Sequence, residues 1–432
     1  MSDMSETHRA LIQKDAQYVW HPFTQMAGWL DDRPLVIEAG EGAWLIDVDG
    51  RRYLDAISSL WTNVHGHRRK EIDAAVRAQL ERIAHSTLLG LANVPSIELA
   101  ERLVAVAPPG LQHVFYSDSG STAVEVALKV TYQYWQQQGE VHKKEFATLR
   151  EAYHGDTIGS VSLGGIDLFH KTYKALLFDS HKVDPFDGGE SLERVFREHG
   201  ERLAAFVLEP LVQGAAGMLV HPEGFLKRVR ELCDAYDVFL VADEVATGFG
   251  RTGTLFACEQ EGVAPDVLCL AKGVSGGYLP LAATLFTSRI YEGFLGEYGE
   301  FKTFFHGHTY TGNPLACAAA LASLRIFETD RVLENLRPKV AHLRERLVAL
   351  SAHERVVEVR QKGLMVGIEI GPYEPAARMG HRVCMAARDR NVILRPLGDV
   401  IVLMPPLCIT TDEIDLMVDA VEYGFETVLE AA

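Results

Sequence analysis

The chain has 432 residues but no uncharged apolar run of the about 18–20 residues that a bilayer span requires. Basic residues are in deficit, with 42 Lys and Arg against 59 Asp and Glu. The formal net charge of −17 repels nucleic-acid phosphates and anionic lipid head groups. Neither nucleic acid nor a membrane is therefore an expected partner. Cysteine is sparse: Cys233, Cys258, Cys269, Cys317, Cys384 and Cys408 lie scattered with no CxxC pair, which points to reduced core residues rather than zinc ligands or disulfides. The opening MSDMSETHRA has no signal-like apolar core, so the expected location is the cytoplasm. Repeats and low-complexity segments are absent as well.

The composition that remains is that of a globular enzyme. With 47% hydrophobic residues, the chain is long enough to bury one large domain and a smaller one. LVIEAG and AWLIDVDG, joined through Gly40 and Gly42, predict a small antiparallel unit near the start. From about residue 70 to 320, helices alternate with the short apolar runs HVFYSD, EFATLR, AAFVLE, VFLVADE, VLCLAK and LAATLFT. This is the rhythm of a mainly parallel, doubly wound α/β sheet. A helix over 332–350, four further strands and a final helix from Thr411 predict a second α+β unit. The expected division is 1–65 and 329–432 as the two parts of a small domain around a large domain at 66–328, with DPFDGGESL at 184–192 as the softest linker.

Three of the apolar runs end in chemistry: AFVLE at Glu209, VFLVADE at Asp243 and Glu244, and VLCLAK at Lys272. In open parallel sheets the strand carboxyl ends converge on the ligand crevice. An ammonium delivered there is solvated, paired, or neutralised by covalent chemistry. After HVFYSD, the turn Ser119-Gly120-Ser121-Thr122 leads into a segment whose Val124, Ala127, Leu128, Thr131 and Trp135 have helical spacing. Such a strand, turn and helix start can hold a phosphate on free N–H groups; Ser and Thr favour a plain N-cap equally, so the turn alone has two readings. It carries neither GxxxxGK[ST] nor GxGxxG, which disfavours a nucleoside triphosphate or a dinucleotide. Together, a lysine, an acid at a neighbouring strand end and a phosphate turn suit pyridoxal 5′-phosphate: an aldehyde for the amine, a pyridine nitrogen for the acid, and an anchored phosphate.

DEVATGFGRTG at 243–253, PDVLCLAKGVSGGYLPLAATL at 265–285 and HGHTYTGNPLACAAALASL at 306–324 resemble the class III pyridoxal-phosphate aminotransferases, and the likeness spans nearly the whole chain. The resemblance implies fold type I of the PLP-dependent transferases, with a mainly parallel sheet flanked by helices in the large domain. It also implies a homodimer with shared active sites. WHPFTQM at 20–26, SSLWTNVHGH at 58–67, YSDSGSTAVEVALK at 116–129, YHGDT at 153–157 and RPLGDVIVLMPP at 395–406 resemble one branch of that family. That branch implies 8-amino-7-oxononanoate as amino acceptor.

By this resemblance Lys272 carries the cofactor and moves the proton, Asp243 holds the pyridine nitrogen protonated, and Gly120 and Ser121 receive the phosphate. Tyr153 stacks on the cofactor ring, and Gly307, His308 and Thr309 reach the site from the neighbouring subunit. Arg395 receives the far carboxylate of the keto substrate, with Trp61, Leu60, Phe23, Tyr153 and Gly307 around it. Glu209 is a polar wall or an ordinary strand-end carboxylate, and Asp156 is a candidate to orient the substrate amine. Val245-Ala246 after Asp243-Glu244 departs from the DEVQ of many family members and weakens an ornithine or 4-aminobutyrate reading. Phe23 and Leu60 stand where forms using S-adenosylmethionine commonly have Tyr and Trp, so both that donor and lysine remain open. His65, His67, His306 and His308 fit no HExxH-type spacing, and no metal is expected. Two alternatives stay open at this point: another class III omega-amino-acid or diamine aminotransferase, and a non-catalytic protein that uses the same fold to bind the cofactor.

Overall fold

A computed structural model describes residues 4–429. Its centre is a seven-stranded sheet in the spatial order Leu111–Ser117, Ala282–Thr287, Val267–Leu270, Phe239–Asp243, Leu203–Leu208, Glu145–Leu149 and His181–Val183. Ala282–Thr287 runs antiparallel to both of its neighbours, and the other strands run parallel. Every residue of Leu203–Leu208, Phe239–Asp243 and Val267–Leu270 is buried. Helices cover both faces of such a sheet, which is why these strands read as unbroken apolar runs rather than as alternating ones. Truncating a side chain as central as Phe206, which is fully buried, is expected to cost about 3–5 kcal/mol.

Helix Gly120–Gln137 packs on the strands Ala282–Thr287, Val267–Leu270 and Leu203–Leu208. It begins where it does because Ser119 and Thr122 form a capping box: the Ser119 side chain accepts from the Thr122 N–H, and the Thr122 hydroxyl accepts from the Ser119 N–H at 2.9 Å. Ala123, Val124, Ala127, Leu128, Thr131 and Trp135 form its buried face. The helical spacing in the sequence had marked most of these positions.

The chain ends are interleaved. Strands Ile37–Glu41, Trp44–Asp47 and Arg52–Asp55 form an antiparallel unit, and Val392–Ile393 from the C-terminal part joins it in parallel at Leu54 and Asp55. A second four-stranded sheet comprises Val356–Lys362, Met365–Ile370, Val400–Leu403 and Arg395–Leu397, flanked by helices Val332–Ser351, Met379–Ala387 and Thr411–Val428. Ahead of these strands lies a helix, Glu6–Tyr18, that the composition does not announce; Ser5 caps it by accepting from the His8 N–H. No helix among the described residues is long and apolar enough to cross a membrane. All six cysteines are unpaired, five of them buried and Cys408 half-buried.

Candidate active site

The C-terminal ends of the parallel strands surround one cavity of about 530 Å³, including its open mouth. Lys272 follows strand Val267–Leu270, Asp243 ends Phe239–Asp243, and Glu209 follows Leu203–Leu208. Tyr153, His154 and Gly155 follow Glu145–Leu149, while Gly120 and Ser121 follow Leu111–Ser117. Trp61, Val245 and Ala246 complete the lining. Only the antiparallel strand Ala282–Thr287 sends its other end to this side, and it contributes no lining residue.

Lys272 has a left-handed backbone, φ 39°, a strained conformation for a side chain with a Cβ. The residue is half-buried because its end faces the cavity, yet the surrounding protein removes enough water to push its pKa down. Asp243 and Glu209 pull the other way. Among the described residues no carboxylate lies within ion-pair distance of its Nζ, which sits 5.5 Å from the centre of the Trp61 ring. The cost of a partly desolvated, unpaired ammonium is thus left for an occupant of the cavity to remove.

Asp243 is buried. It accepts from the His154 ring N–H, with Nδ1 to Oδ2 at 2.7 Å, and from the Val245 N–H at 3.1 Å. Glu209, also buried, accepts from the Gly214 N–H at 2.9 Å. Burial pushes its pKa up to about 7, His154 lowers it and Asp243 raises it further. The Tyr153 hydroxyl donates to Asp156 at 2.8 Å, and burial raises the phenol pKa. Ser121 Oγ accepts from the Asp156 N–H at 3.1 Å. Gly155 allows this approach: at φ 117°, an added Cβ would lie 1.9 Å from Ser121 Oγ. The first-turn N–H groups of Gly120 and Ser121 have no acceptor within their helix, and both residues line the cavity.

Trp61 ends a turn, Ser58–Trp61, in which all four residues are left-handed, with φ values of 50°, 49°, 74° and 67°. For residues with a Cβ, each costs about 1–2 kcal/mol. The Trp61 ring is buried, and its indole N–H has no hydrogen-bond partner among the described residues. The half-buried Arg395 has no acid within ion-pair distance among the described residues, and burial lowers its pKa. It lies outside the lining of the cavity, although Tyr153 is near enough to oppose that lowering.

Not every residue singled out in the sequence comes to this place. Glu244 turns away: its carboxylate accepts from the Ala257 and Cys258 N–H groups, both at 2.8 Å, and from the Thr247 hydroxyl, so it builds the Ala257–Glu261 turn. Its place at a strand end misleads because successive strand residues point to opposite faces. Gly307, His308 and Thr309 lie outside the cavity of their own chain; His308 Nδ1 is 2.7 Å from Asp118 Oδ2, just before the phosphate turn. Phe23 and Leu60 are exposed, and Phe23 meets Phe169 edge-on at 5.5 Å, which in turn meets Tyr153 at 6.2 Å. His154 stood in the YHGDT motif without a role, because its partner Asp243 is 89 positions away. The two clusters of metal-ligating side chains among the described residues, Glu145 with His181 and His199, and His8 with Asp47 and Asp49, include none of the four histidines picked out by spacing.

The donor set fits pyridoxal 5′-phosphate: a lysine without an acid partner among the described residues, a buried carboxylate backed by an imidazole, and the first N–H groups of a helix share one cavity with the Trp61 indole. A family profile described as aminotransferase class-III matches residues 26–424. The chain is 58% identical to an adenosylmethionine-8-amino-7-oxononanoate aminotransferase of Nitratidesulfovibrio vulgaris, over 96% of this chain and 81% of that protein. It is 52% identical to the protein so named in Geobacter sulfurreducens, over 96% and 97%. The crystal structure of the Methanocaldococcus jannaschii protein of that name superposes with a TM-score of 0.96 at 45% identity, covering 97% of this chain and 99% of that one. A PLP-bound amine transaminase from an uncultivated Pseudomonas species gives 0.91 at 39% identity, over 95% and 99%.

Proposed function

The chain belongs to the class III aminotransferases, and from that premise we propose that it transfers an amino group to 8-amino-7-oxononanoate, giving 7,8-diaminononanoate in biotin biosynthesis. It is a PLP-dependent transaminase. The observation that carries the choice of acceptor is Arg395. A half-buried guanidinium with no acid within ion-pair distance among the described residues is a receptor for a substrate carboxylate, which its planar fork binds in a bidentate way.

When bound, pyridoxal 5′-phosphate supplies an aldehyde that takes up the amino group and a ring that accepts electrons. Lys272 would hold the cofactor at Nζ and, when not so engaged, would move a proton at the amine-bearing carbon of the substrate. Its lowered pKa makes Nζ a competent base. Asp243, kept in place by His154, holds the proton on the ring nitrogen. Gly120 and Ser121 hold the phosphate, Tyr153 covers the ring, and Asp156, through the Tyr153 hydroxyl, orients the substrate amine. Gly307, His308 and Thr309 of a second copy complete the phosphate site, so the working unit is a homodimer, located in the cytoplasm. Glu209 is a neutral-to-anionic wall beside the lysine.

For the donor, the names of the relatives favour S-adenosylmethionine, and the aromatic series Phe23, Phe169 and Tyr153 offers faces to its sulfonium. The test is a half-reaction: the holoenzyme is mixed separately with S-adenosylmethionine and with L-lysine while the cofactor absorbance is followed. Bleaching by the sulfonium donor, reversed by 8-amino-7-oxononanoate, is the expected result. Bleaching by lysine alone reassigns the donor. Recovery only with pyruvate or another keto acid overturns the acceptor.

A further inference from the structure

The left-handed turn that ends in Trp61 is strained; the Trp61 N–H donates to the Ile57 carbonyl at 2.8 Å, Arg251 donates to Ser58 Oγ at 3.1 Å, and one carboxylate restrains Ser59. Asp55 ends strand Arg52–Asp55 and is fully buried. Its Oδ1 accepts from the Ser59 N–H at 2.9 Å, and its Oδ2 accepts from the Ser59 hydroxyl at 2.9 Å. The same Oδ2 accepts from the His67 ring N–H, Nε2, at 2.9 Å. The other ring nitrogen of His67 accepts from the Asn63 amide at 3.1 Å, which fixes the tautomer, and Asn63 Oδ1 accepts from the Gly66 N–H at 2.7 Å. Among the described residues, every hydrogen bond of the Asp55 side chain therefore goes either to the left-handed turn or to the imidazole that orients it. The turn's other side chain of this kind, Ser58, donates to the Met404 carbonyl at 2.6 Å.

We propose that Asp55, oriented by His67, is a positioning residue for the reaction: it holds Ser59 in the left-handed conformation that sets the Trp61 indole against Lys272 and along the substrate wall. A carboxylate suits this task because its two oxygens accept three donors at once, and because a buried charge satisfied only in this geometry penalises every other one. The assignment to substrate binding rests on the function proposed above; the assignment to the turn does not.

The experiment separates the two. Asp55→Asn keeps the shape but replaces one acceptor with a donor that meets the Ser59 hydroxyl and the His67 N–H. Ser59→Gly removes the Cβ cost of the left-handed conformation and keeps the N–H. In holoenzyme labelled with 5-fluorotryptophan, the resonance of Trp61, one of five tryptophans and assigned with Trp61→Phe, is expected to shift or broaden in Asp55→Asn and to return in Asp55→Asn/Ser59→Gly. In parallel, KM for 8-amino-7-oxononanoate is expected to rise about tenfold in Asp55→Asn with kcat changed much less, and to fall back at least about threefold in the double variant. If Asp55→Asn does not fold, His67→Gln, at a half-exposed position, is expected to show the same pattern at about threefold. An unmoved Trp61 resonance, or a loss in kcat and KM that glycine does not rescue, overturns the proposal. A moved and rescued resonance in a protein that does not aminate the keto acid upholds the turn and sinks only the substrate.

Discussion

His154 stands between Asp243 and Thr148: one ring nitrogen is 2.7 Å from the Asp243 carboxylate and the other is 3.3 Å from the Thr148 hydroxyl, with all three side chains buried. The imidazole thereby holds the carboxylate at the end of its strand, where it faces the cavity. Replacing His154 with Ala leaves a buried carboxylate short of a partner. Cofactor affinity, measured by titrating the apoenzyme, is expected to fall about a hundredfold, and His154→Asn, which can still donate, is expected to recover part of it.

Lys272→Ala removes both the attachment point and the base. Turnover is expected to fall by at least about a thousandfold, and the absorbance of the lysine-bound cofactor is expected to vanish even when the cofactor is present in excess. Full activity in this variant would remove the lysine from the mechanism.

Arg395→Ala is expected to raise KM for 8-amino-7-oxononanoate about 10- to 100-fold, the cost of a lost charge-assisted pair, while KM for the amino donor stays within about threefold. Arg395→Lys, which cannot reproduce the bidentate fork, is expected to recover little. Equal effects on both substrates would mean that the carboxylate is bound elsewhere.

Glu209 carries a pH signature. Its pKa in the folded protein is about 7, above the ordinary carboxylate value, so the folded state binds more protons than the unfolded chain between about pH 4.5 and 7. Its contribution to stability is full below about pH 4.5 and is lost as the pH rises through 7. In thermal melts of the apoenzyme at pH 5 and pH 8, Glu209→Gln is therefore expected to gain on the wild type as the pH rises, by about 2–3 kcal/mol in total. A difference that does not change with pH would show that the carboxylate titrates normally.

His65 acts in the opposite direction. Buried and in hydrogen-bond contact with the Ser323 hydroxyl at 3.1 Å, it has its pKa pushed down to about 4, chiefly by desolvation, with Arg69 adding to the shift. The unfolded chain takes up this proton near pH 6.5 and the folded one only near 4, so stability is expected to drain away across that window on acidification. A His65→Gln variant melted at pH 5 and pH 7 is expected to lose less on acidification than the wild type does.

The chemistry-bearing strand ends were legible in the sequence because burial on both sheet faces writes itself as unbroken apolar runs, and Asp243, Glu209 and Lys272 are what interrupts them. The helix start at Gly120 was legible for a similar local reason, since Ser119 and Thr122 satisfy each other across three residues. Spacing along the chain says nothing, however, about which way a strand-end side chain turns, so Glu244 and Asp243 looked alike until packing separated them.

What the sequence determined by itself, then, is the set of elements and the order in which they deliver their ends, because hydrophobic period and capping are local. What only the tertiary structure decided is the set of pairs. His154 with Asp243, Asp55 with His67 and Ser59, and the absence of an acid beside Arg395 among the described residues arise where segments far apart in the chain, or folded back on themselves in a left-handed turn, exclude water from the same few ångströms. That exclusion gives a carboxylate or an imidazole its strength, and it exists only after the strands have packed.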